Sequence, residues 1–132
     1  MNLGDFQEIE PIYNLEFDDF WKPQNLKSEL QNVSSKYIVA KENGEIVGFA
    51  GIWYSVDDAH ITNIVVRKSY RNKGIGSLLL EKLIELAKTK TSLTLEVNTK
   101  NEIAQKLYLK YGFKNLGIRK KYYDGIEDAY IM

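Results

Sequence analysis

The stretch that decides the fold is ITNIVVRKSYRNKGIGSLLLEKLIELA, residues 61–87. Its first part is rich in β-branched residues and predicts a strand that ends at Val66. Apolar residues then recur at helical spacing from Ile75 onward, which predicts a helix beginning just after Gly74-Ile75-Gly76. A strand, a glycine-bearing loop and a helix therefore follow one another.

The loop between that strand and helix, Arg71-Asn72-Lys73-Gly74-Ile75-Gly76, suits an anion. Glycines let the backbone approach a phosphate closely, and the unpaired N–H groups of a first helical turn stabilise its charge. A Walker A loop would need Gly-Lys followed by Ser or Thr, and a dinucleotide fingerprint would need a small residue where Leu79 stands. A loop whose glycines only permit a tight turn stays open as the alternative.

Upstream of the decisive stretch, Asn43-Gly44 separates two β-rich runs, Tyr37–Ala40 and Ile46–Tyr54. Such a dipeptide between two β-rich runs is a strong hairpin signal. With the strand Ala59–Val66 these runs predict an antiparallel meander. Residues 1–33 carry apolar side chains spaced for two short helices, interrupted near Pro23.

Downstream, Leu93–Val97 alternates as a strand, and Asn101 is suited to cap a helix that ends at Gly112. Phe113–Tyr123 and Ala129–Met132 predict two final strands around a turn at Asp124-Gly125.

The element order predicts an α+β fold, an α/β sandwich with one mixed, mostly antiparallel central sheet and helices on both faces. The length of 132 residues predicts a single domain covering residues 1–132.

Composition excludes several classes of function. The chain has no cysteine and one histidine, His60, which excludes disulfides, thiolate metal sites, cysteine nucleophiles and paired-histidine metal sites. Lys and Arg together number 18, as do Asp and Glu, so no basic excess draws the chain to nucleic acid. No apolar run approaches the ~20 residues that span a bilayer, and residues 1–10 show no signal-peptide pattern. We expect a soluble, cytoplasmic protein with no metal, no stable nucleic-acid partner and no membrane contact.

Several motifs together resemble one enzyme family. They are the Arg-x-x-Gly-x-Gly loop, Leu95-Glu96-Val97, Leu107-Tyr108 and Tyr111-Gly112-Phe113. In this combination they resemble the GNAT superfamily of acyl-CoA-dependent N-acyltransferases. Within it, Asn63–Val66 and Tyr122–Met132 are similar to the RimI-type ribosomal-protein N-alpha-acetyltransferases. The resemblance implies a GNAT-type N-acetyltransferase that moves the acetyl group of acetyl-CoA directly to a primary amine, with a protein N-terminal α-amine as the favoured acceptor.

The resemblance also implies which residues bind the cofactor. The backbone of Ile64, Val65 and Val66 would pair with the pantetheine arm and polarise the thioester carbonyl. Asn101 would contact the cofactor near the thioester. The pyrophosphate would be held by Arg71, Asn72, Lys73, Gly74, Ile75, Gly76 and Ser77.

Glu96 is the candidate general base. Strand alternation puts it on the face opposite Leu95 and Val97. If helices cover both faces of the sheet, its carboxylate is partly desolvated and suited to accept a proton. A solvated surface charge is the alternative.

Tyr108 is the candidate general acid. It belongs to a helical stripe with Ala104, Leu107 and Tyr111, a pattern typical of ordinary core packing. The resemblance instead puts its phenol beside the cofactor sulfur, where it can donate a proton to the leaving thiolate.

The acceptor side stays open. Glu127 and Asp128 either line a groove for a positively charged N-terminus or are solvated turn charges, and Phe20 and Trp21 either wall the acceptor site or pack in the interior. A small amine such as a polyamine, an amino acid or an aminoglycoside is a second acceptor class. A non-catalytic acyl-CoA-binding sensor is the alternative to an enzyme.

Overall fold

The structure is a computed structural model that describes residues 3–12, 23–71, 73–123 and 127–132. Its helices are α1 (Leu3–Ile9), α2 (Pro23–Leu30), α3 (Ile75–Leu86) and α4 (Glu102–Lys110), with short 3-10 turns at Glu10–Ile12 and Lys68–Tyr70. Its strands are β1 (Ser35–Glu42), β2 (Glu45–Tyr54), β3 (Asp58–Val66), β4 (Ser92–Asn98), β5 (Gly117–Tyr123) and β6 (Glu127–Ile131). The chain divides into two compact units, Met1–Leu93 and Thr94–Met132, so the single domain stays a prediction.

The first unit is built on the predicted antiparallel meander. β1 pairs with β2 and β2 with β3, both antiparallel. The β1–β2 turn has positive φ at both central residues, Asn43 at 52° and Gly44 at 83°. Two consecutive residues with positive φ form a turn whose twist matches the twist of the two strands that it joins. The Asn-Gly dipeptide therefore predicted a hairpin at this position. The predicted hairpin is confirmed.

Helices cover both faces of this meander. Phe6 and Ile9 of α1 pack with Phe49 and Val65 in one buried cluster. On the other face α3 approaches so closely that a Cβ at Gly48 would lie 3.2 Å from a Leu79 methyl carbon. Alternation along β2 separates the two layers, because neighbouring side chains on a strand point to opposite faces. Within this unit the predicted helix cover on both faces is confirmed.

In the second unit, β6 lies between β4 and β5 and pairs antiparallel with both. The predicted strand Phe113–Tyr123 begins too early, because β5 starts at Gly117. Gly112 adopts a left-handed φ of 94°, and the Phe113 N–H bonds to the Tyr108 carbonyl at 3.0 Å, back toward the helix. Phe113 therefore belongs to the end of α4 and not to the sheet.

The mixed α/β class with mostly antiparallel pairing is as predicted. No helix among the residues that the structure describes is long and apolar enough to cross a bilayer.

Candidate functional site

The strand segment Ile64–Val66 lies near the end of β3 and pairs with Ala50, Phe49 and Gly48 of β2. Val65 is buried against the α1 side, whereas Ile64 and Val66 are half-buried. In an antiparallel strand, backbone groups of successive residues point to alternate edges. Part of this segment's N–H and C=O groups therefore points away from β2.

A buried polar network lies next to this segment, and sequence reasoning missed it. Asn63 is 5% exposed and is the one buried polar residue among those that the structure describes. The Tyr37 hydroxyl donates to Asn63 Oδ1 at 2.6 Å and lies 3.1 Å from Thr62 Oγ1. Gly51 stands between Tyr37 and Asn63 in the sheet register, where a β-bulge interrupts β2 and β3. The network therefore holds the bulge immediately before Ile64.

Because Gly51 leaves the space that the Tyr37 ring occupies, Gly51→Ala should destabilise the fold. A Cβ there would overlap the Tyr37 ring and lie 2.7 Å from Thr62 Oγ1. Overpacking together with a broken buried hydrogen bond predicts a loss of about 2 to 4 kcal/mol in the free energy of unfolding, measured by urea denaturation. The control is Gly117→Ala, whose Cβ meets nothing within 4 Å. Equal stabilities of the two variants would contradict the role of this network.

The predicted phosphate loop leads into an open helix N-terminus. Gly74 is the N-cap of α3 with a φ of 82°, and none of the described side chains caps the helix. A Cβ at Gly74 would meet nothing within 4 Å. First-turn N–H groups have no partner within a helix, so those of Ile75, Gly76 and Ser77 point out of its end. The arrangement fits a phosphate group.

Cations gather beside this N-terminus. Arg71 Nε donates to the Val66 carbonyl at 3.1 Å, which ties the loop to the end of β3. Lys73 Nζ lies 5.1 Å from the centre of the Tyr70 ring, and the Arg67 guanidinium carbon lies 6.0 Å from it. Tyr70 thus holds two cations by cation–π contact, a role sequence reasoning missed. The signal for it was an aromatic residue inside the basic run of residues 67–73.

In the second unit, Glu96 shows the predicted alternation. Its neighbours Leu95 and Val97 are 2% and 4% exposed, whereas Glu96 is half-buried. Its Oε2 atom is shielded from solvent. A shielded carboxylate oxygen matches the desolvated alternative better than the solvated one.

Tyr108 is the one buried residue of α4, a helix described along its whole length. Burial raises the pKa of its phenol to about 12. The phenol is therefore neutral at physiological pH and holds a proton that it can donate. The other members of the predicted stripe, Ala104, Leu107 and Tyr111, are only half-buried.

The raised pKa of Tyr108 predicts a loss of stability at high pH. A group with a raised folded-state pKa contributes stability that is intact below its unfolded pKa, 10.0 here, and is lost as pH rises toward about 12. In urea denaturation, the free energy of unfolding of the wild type should fall by about 2 kcal/mol relative to Tyr108→Phe across this window. A constant difference between the two proteins from pH 9 to pH 12 would contradict the burial of the phenol.

The turn between β4 and α4 is held by side-chain hydrogen bonds. Asn101 caps α4 by accepting from Ala104 N–H at 3.1 Å, as predicted for a helix cap. Its Nδ2 group takes no part in that cap and is the part that can donate to a ligand. Gln105 Nε2 donates to the carbonyls of Asn98 at 3.1 Å and Thr99 at 2.9 Å. Sequence reasoning missed Gln105, which ties α4 to the end of the Glu96 strand.

The candidate residues thus fall into two groups. The first unit contains Ile64–Val66, Arg71 and residues 73–77. The second unit contains Glu96, Asn101 and Tyr108. Some predicted residues lie outside the described part of the chain: Phe20, Trp21, Asn72 and the turn Asp124-Gly125. The side chains of Glu127 and Asp128 are outside it as well. Across the described ranges, no cluster of three or more acidic, histidine or cysteine side chains is suited to hold a metal.

Comparison with known proteins gives matches along nearly the whole chain. A model of the acetyltransferase (GNAT) family matches residues 6–113. A [ribosomal protein bS18]-alanine N-acetyltransferase from Haemophilus influenzae is 36% identical over 133 residues, 95% of this chain and 90% of that protein. The crystal structure of the ribosomal-protein-S18-alanine N-acetyltransferase from Escherichia coli is similar, with a TM-score of 0.87, 34% identity, and coverage of 100% of this chain and 88% of that one. A GNAT family acetyltransferase from Elizabethkingia anophelis with acetyl-CoA bound matches with a TM-score of 0.72, 29% identity, and coverage of 83% and 80%.

Proposed function

Since the chain belongs to the GNAT family of acetyltransferases, we propose that it acetylates the N-terminal α-amine of a ribosomal protein that begins with alanine. The chain is an acyl-CoA-dependent N-acetyltransferase and uses acetyl-CoA. The choice of acceptor rests on one observation, the match over the whole chain to the Escherichia coli enzyme. The name of that enzyme states a ribosomal-protein alanine as its substrate. We place the reaction in the cytoplasm, where ribosomal proteins are made. We also propose that both units form one acetyltransferase domain, since the family model, which matches residues 6–113, crosses the boundary between them.

The first unit supplies residues suited to bind acetyl-CoA. The open N-terminus of α3 and the cations Arg71 and Lys73 fit its pyrophosphate. The Arg71 bond to the Val66 carbonyl joins this phosphate loop to the strand Ile64–Val66. We assign that strand's outward backbone groups to the pantetheine arm, and one of its N–H groups to the thioester oxygen, where negative charge develops.

Glu96 is assigned as the base. Acetyl-CoA supplies an acetyl group activated as a thioester, and the acceptor amine must be neutral to attack it. An α-ammonium group has a pKa of about 7.7 to 8.0 and is mostly protonated near pH 7, so a carboxylate beside it provides a path for its proton to leave, directly or through a water, before the amine attacks. The carboxylate on β4 has one oxygen shielded from solvent, so the group is partly desolvated.

Tyr108 is assigned as the acid. When the new C–N bond forms and the C–S bond breaks, the sulfur leaves with a pair of electrons and needs a proton. Tyr108 holds that proton at neutral pH because the pKa of a tyrosine phenol, 10.0 when unperturbed and raised further here by burial, lies well above 7. Its phenol donates to the sulfur and regains a proton from solvent. Without a cysteine, the chain has no thiol to carry the acetyl group, which favours direct transfer.

The acceptor is tested by a panel of amines. Peptides that begin with alanine, serine or methionine and free polyamines are each supplied with acetyl-CoA, and release of the CoA thiol is measured. We expect a kcat/KM for the alanine peptide at least about tenfold above that for any polyamine, because a protein acceptor adds binding contacts beyond the amine. Acetylation of polyamines alone would reassign the enzyme to small amines.

A further inference from the structure

Tyr108 lies in a distinctive helix ending. Gly112 N–H donates to the Leu109 carbonyl at 3.1 Å, and Phe113 N–H donates to the Tyr108 carbonyl at 3.0 Å. With Gly112 in the left-handed region at a φ of 94°, these bonds form a Schellman motif. Tyr108 is the first residue of the motif and Phe113 the last.

The motif also brings the two side chains together. The rings of Tyr108 and Phe113 have their centres 5.9 Å apart and meet edge to face at 64°. A Schellman motif is often accompanied by an apolar contact at these two positions, and any apolar side chain can provide it. An aromatic edge does more, because its preferred geometry also favours one orientation of the ring it meets.

We propose that Phe113 is a positioning residue for catalysis, which holds the Tyr108 ring so that its hydroxyl points at the departing sulfur. The inference rests on the proposed role of Tyr108 as the acid. Phe113 itself is half-buried and contacts Tyr108 through its ring and its backbone N–H. Substitution of Phe113 by a residue without a ring removes the ring contact and leaves the backbone hydrogen bond in place.

Phe113→Leu keeps an apolar side chain and removes the ring. We expect kcat to fall by about tenfold while the KM for acetyl-CoA changes by less than about twofold, because only the alignment of the acid is altered. Phe113→Tyr keeps the ring and should restore kcat to within about twofold of the wild type. Leu116→Ala, at an exposed apolar residue nearby, is the control and should leave both constants unchanged.

A double-mutant cycle separates positioning from general stability. In a Tyr108→Phe background the hydroxyl is gone, so adding Phe113→Leu should lower kcat by less than about twofold more. An equal effect of Phe113→Leu in both backgrounds, or no effect in the wild type, would overturn the inference. If Tyr108→Phe alone left kcat unchanged, the assignment of the acid would fail first, and the inference with it.

Phe113→Met repeats the cycle with a flexible side chain that fills the same region, should Phe113→Leu not fold. The same split between kcat and KM is expected. A Phe113→Met variant with wild-type kcat would refute positioning by the ring, whatever the behaviour of Phe113→Leu.

Discussion

Replacing Glu96 with glutamine is expected to lower kcat by about 10² to 10⁴ at pH 7, the range attributed to a positioned general base. The amide keeps the size of the side chain and cannot accept the proton. Because Glu96 lies on a strand and its neighbours Leu95 and Val97 carry the packing, the variant should fold normally. The dissociation constant for acetyl-CoA, measured by calorimetry, should change by less than about twofold, since Glu96 is assigned to the amine and not to the cofactor.

The pH dependence tests the same assignment independently. As pH rises through the amine's own pKa of about 8, solvent increasingly removes the proton that Glu96 would take, so the deficit of Glu96→Gln should shrink. Glu102→Gln, at an exposed carboxylate in the first turn of α4, is the matched control and should behave like the wild type. A deficit that stays constant from pH 6.5 to pH 9 would contradict the role of a base.

Gly76→Trp is expected to weaken acetyl-CoA binding by at least about 100-fold, because it places a large ring at the open N-terminus of α3 that is assigned to the pyrophosphate. Gly76 is the second residue of that helix, among the N–H groups that lack intrahelical partners. Binding is measured by calorimetry.

The fold should survive the Gly76→Trp change, since the buried residues of α3 are Leu79, Leu80 and Leu83. Glu81→Trp adds the same ring at an exposed position of the same helix and should bind acetyl-CoA like the wild type. Wild-type affinity in Gly76→Trp would refute the assignment of this loop to the phosphate.

The features that were predictable from sequence depend on local backbone geometry. Asn43-Gly44 predicted the hairpin because both residues tolerate positive φ, and both have it. Asn101 and Gly112 predicted the two ends of α4, where a side-chain cap and a left-handed residue are found. Each signal acts within a few residues, so spacing alone reveals it.

The features that were missed depend on contacts that spacing does not encode. Tyr37 and Asn63 lie 26 residues apart and meet only because β2 places Gly51 between them. The sequence predicts Phe113 as the first residue of a strand that runs to Tyr123. Its N–H instead closes the α4 ending, and tertiary context overrides its β propensity.

The most direct test of the account is CoA thiol release from one sample of protein and acetyl-CoA, first alone and then with a peptide that begins with alanine. Calorimetric titration first establishes that acetyl-CoA binds. We predict binding, slow release alone, and release stimulated at least about 100-fold by the peptide but not by the same peptide with an acetylated N-terminus. Binding without stimulated release would leave an acyl-CoA sensor or a small-amine enzyme as the function. Absence of binding would contradict the use of acetyl-CoA, on which all the other assignments depend.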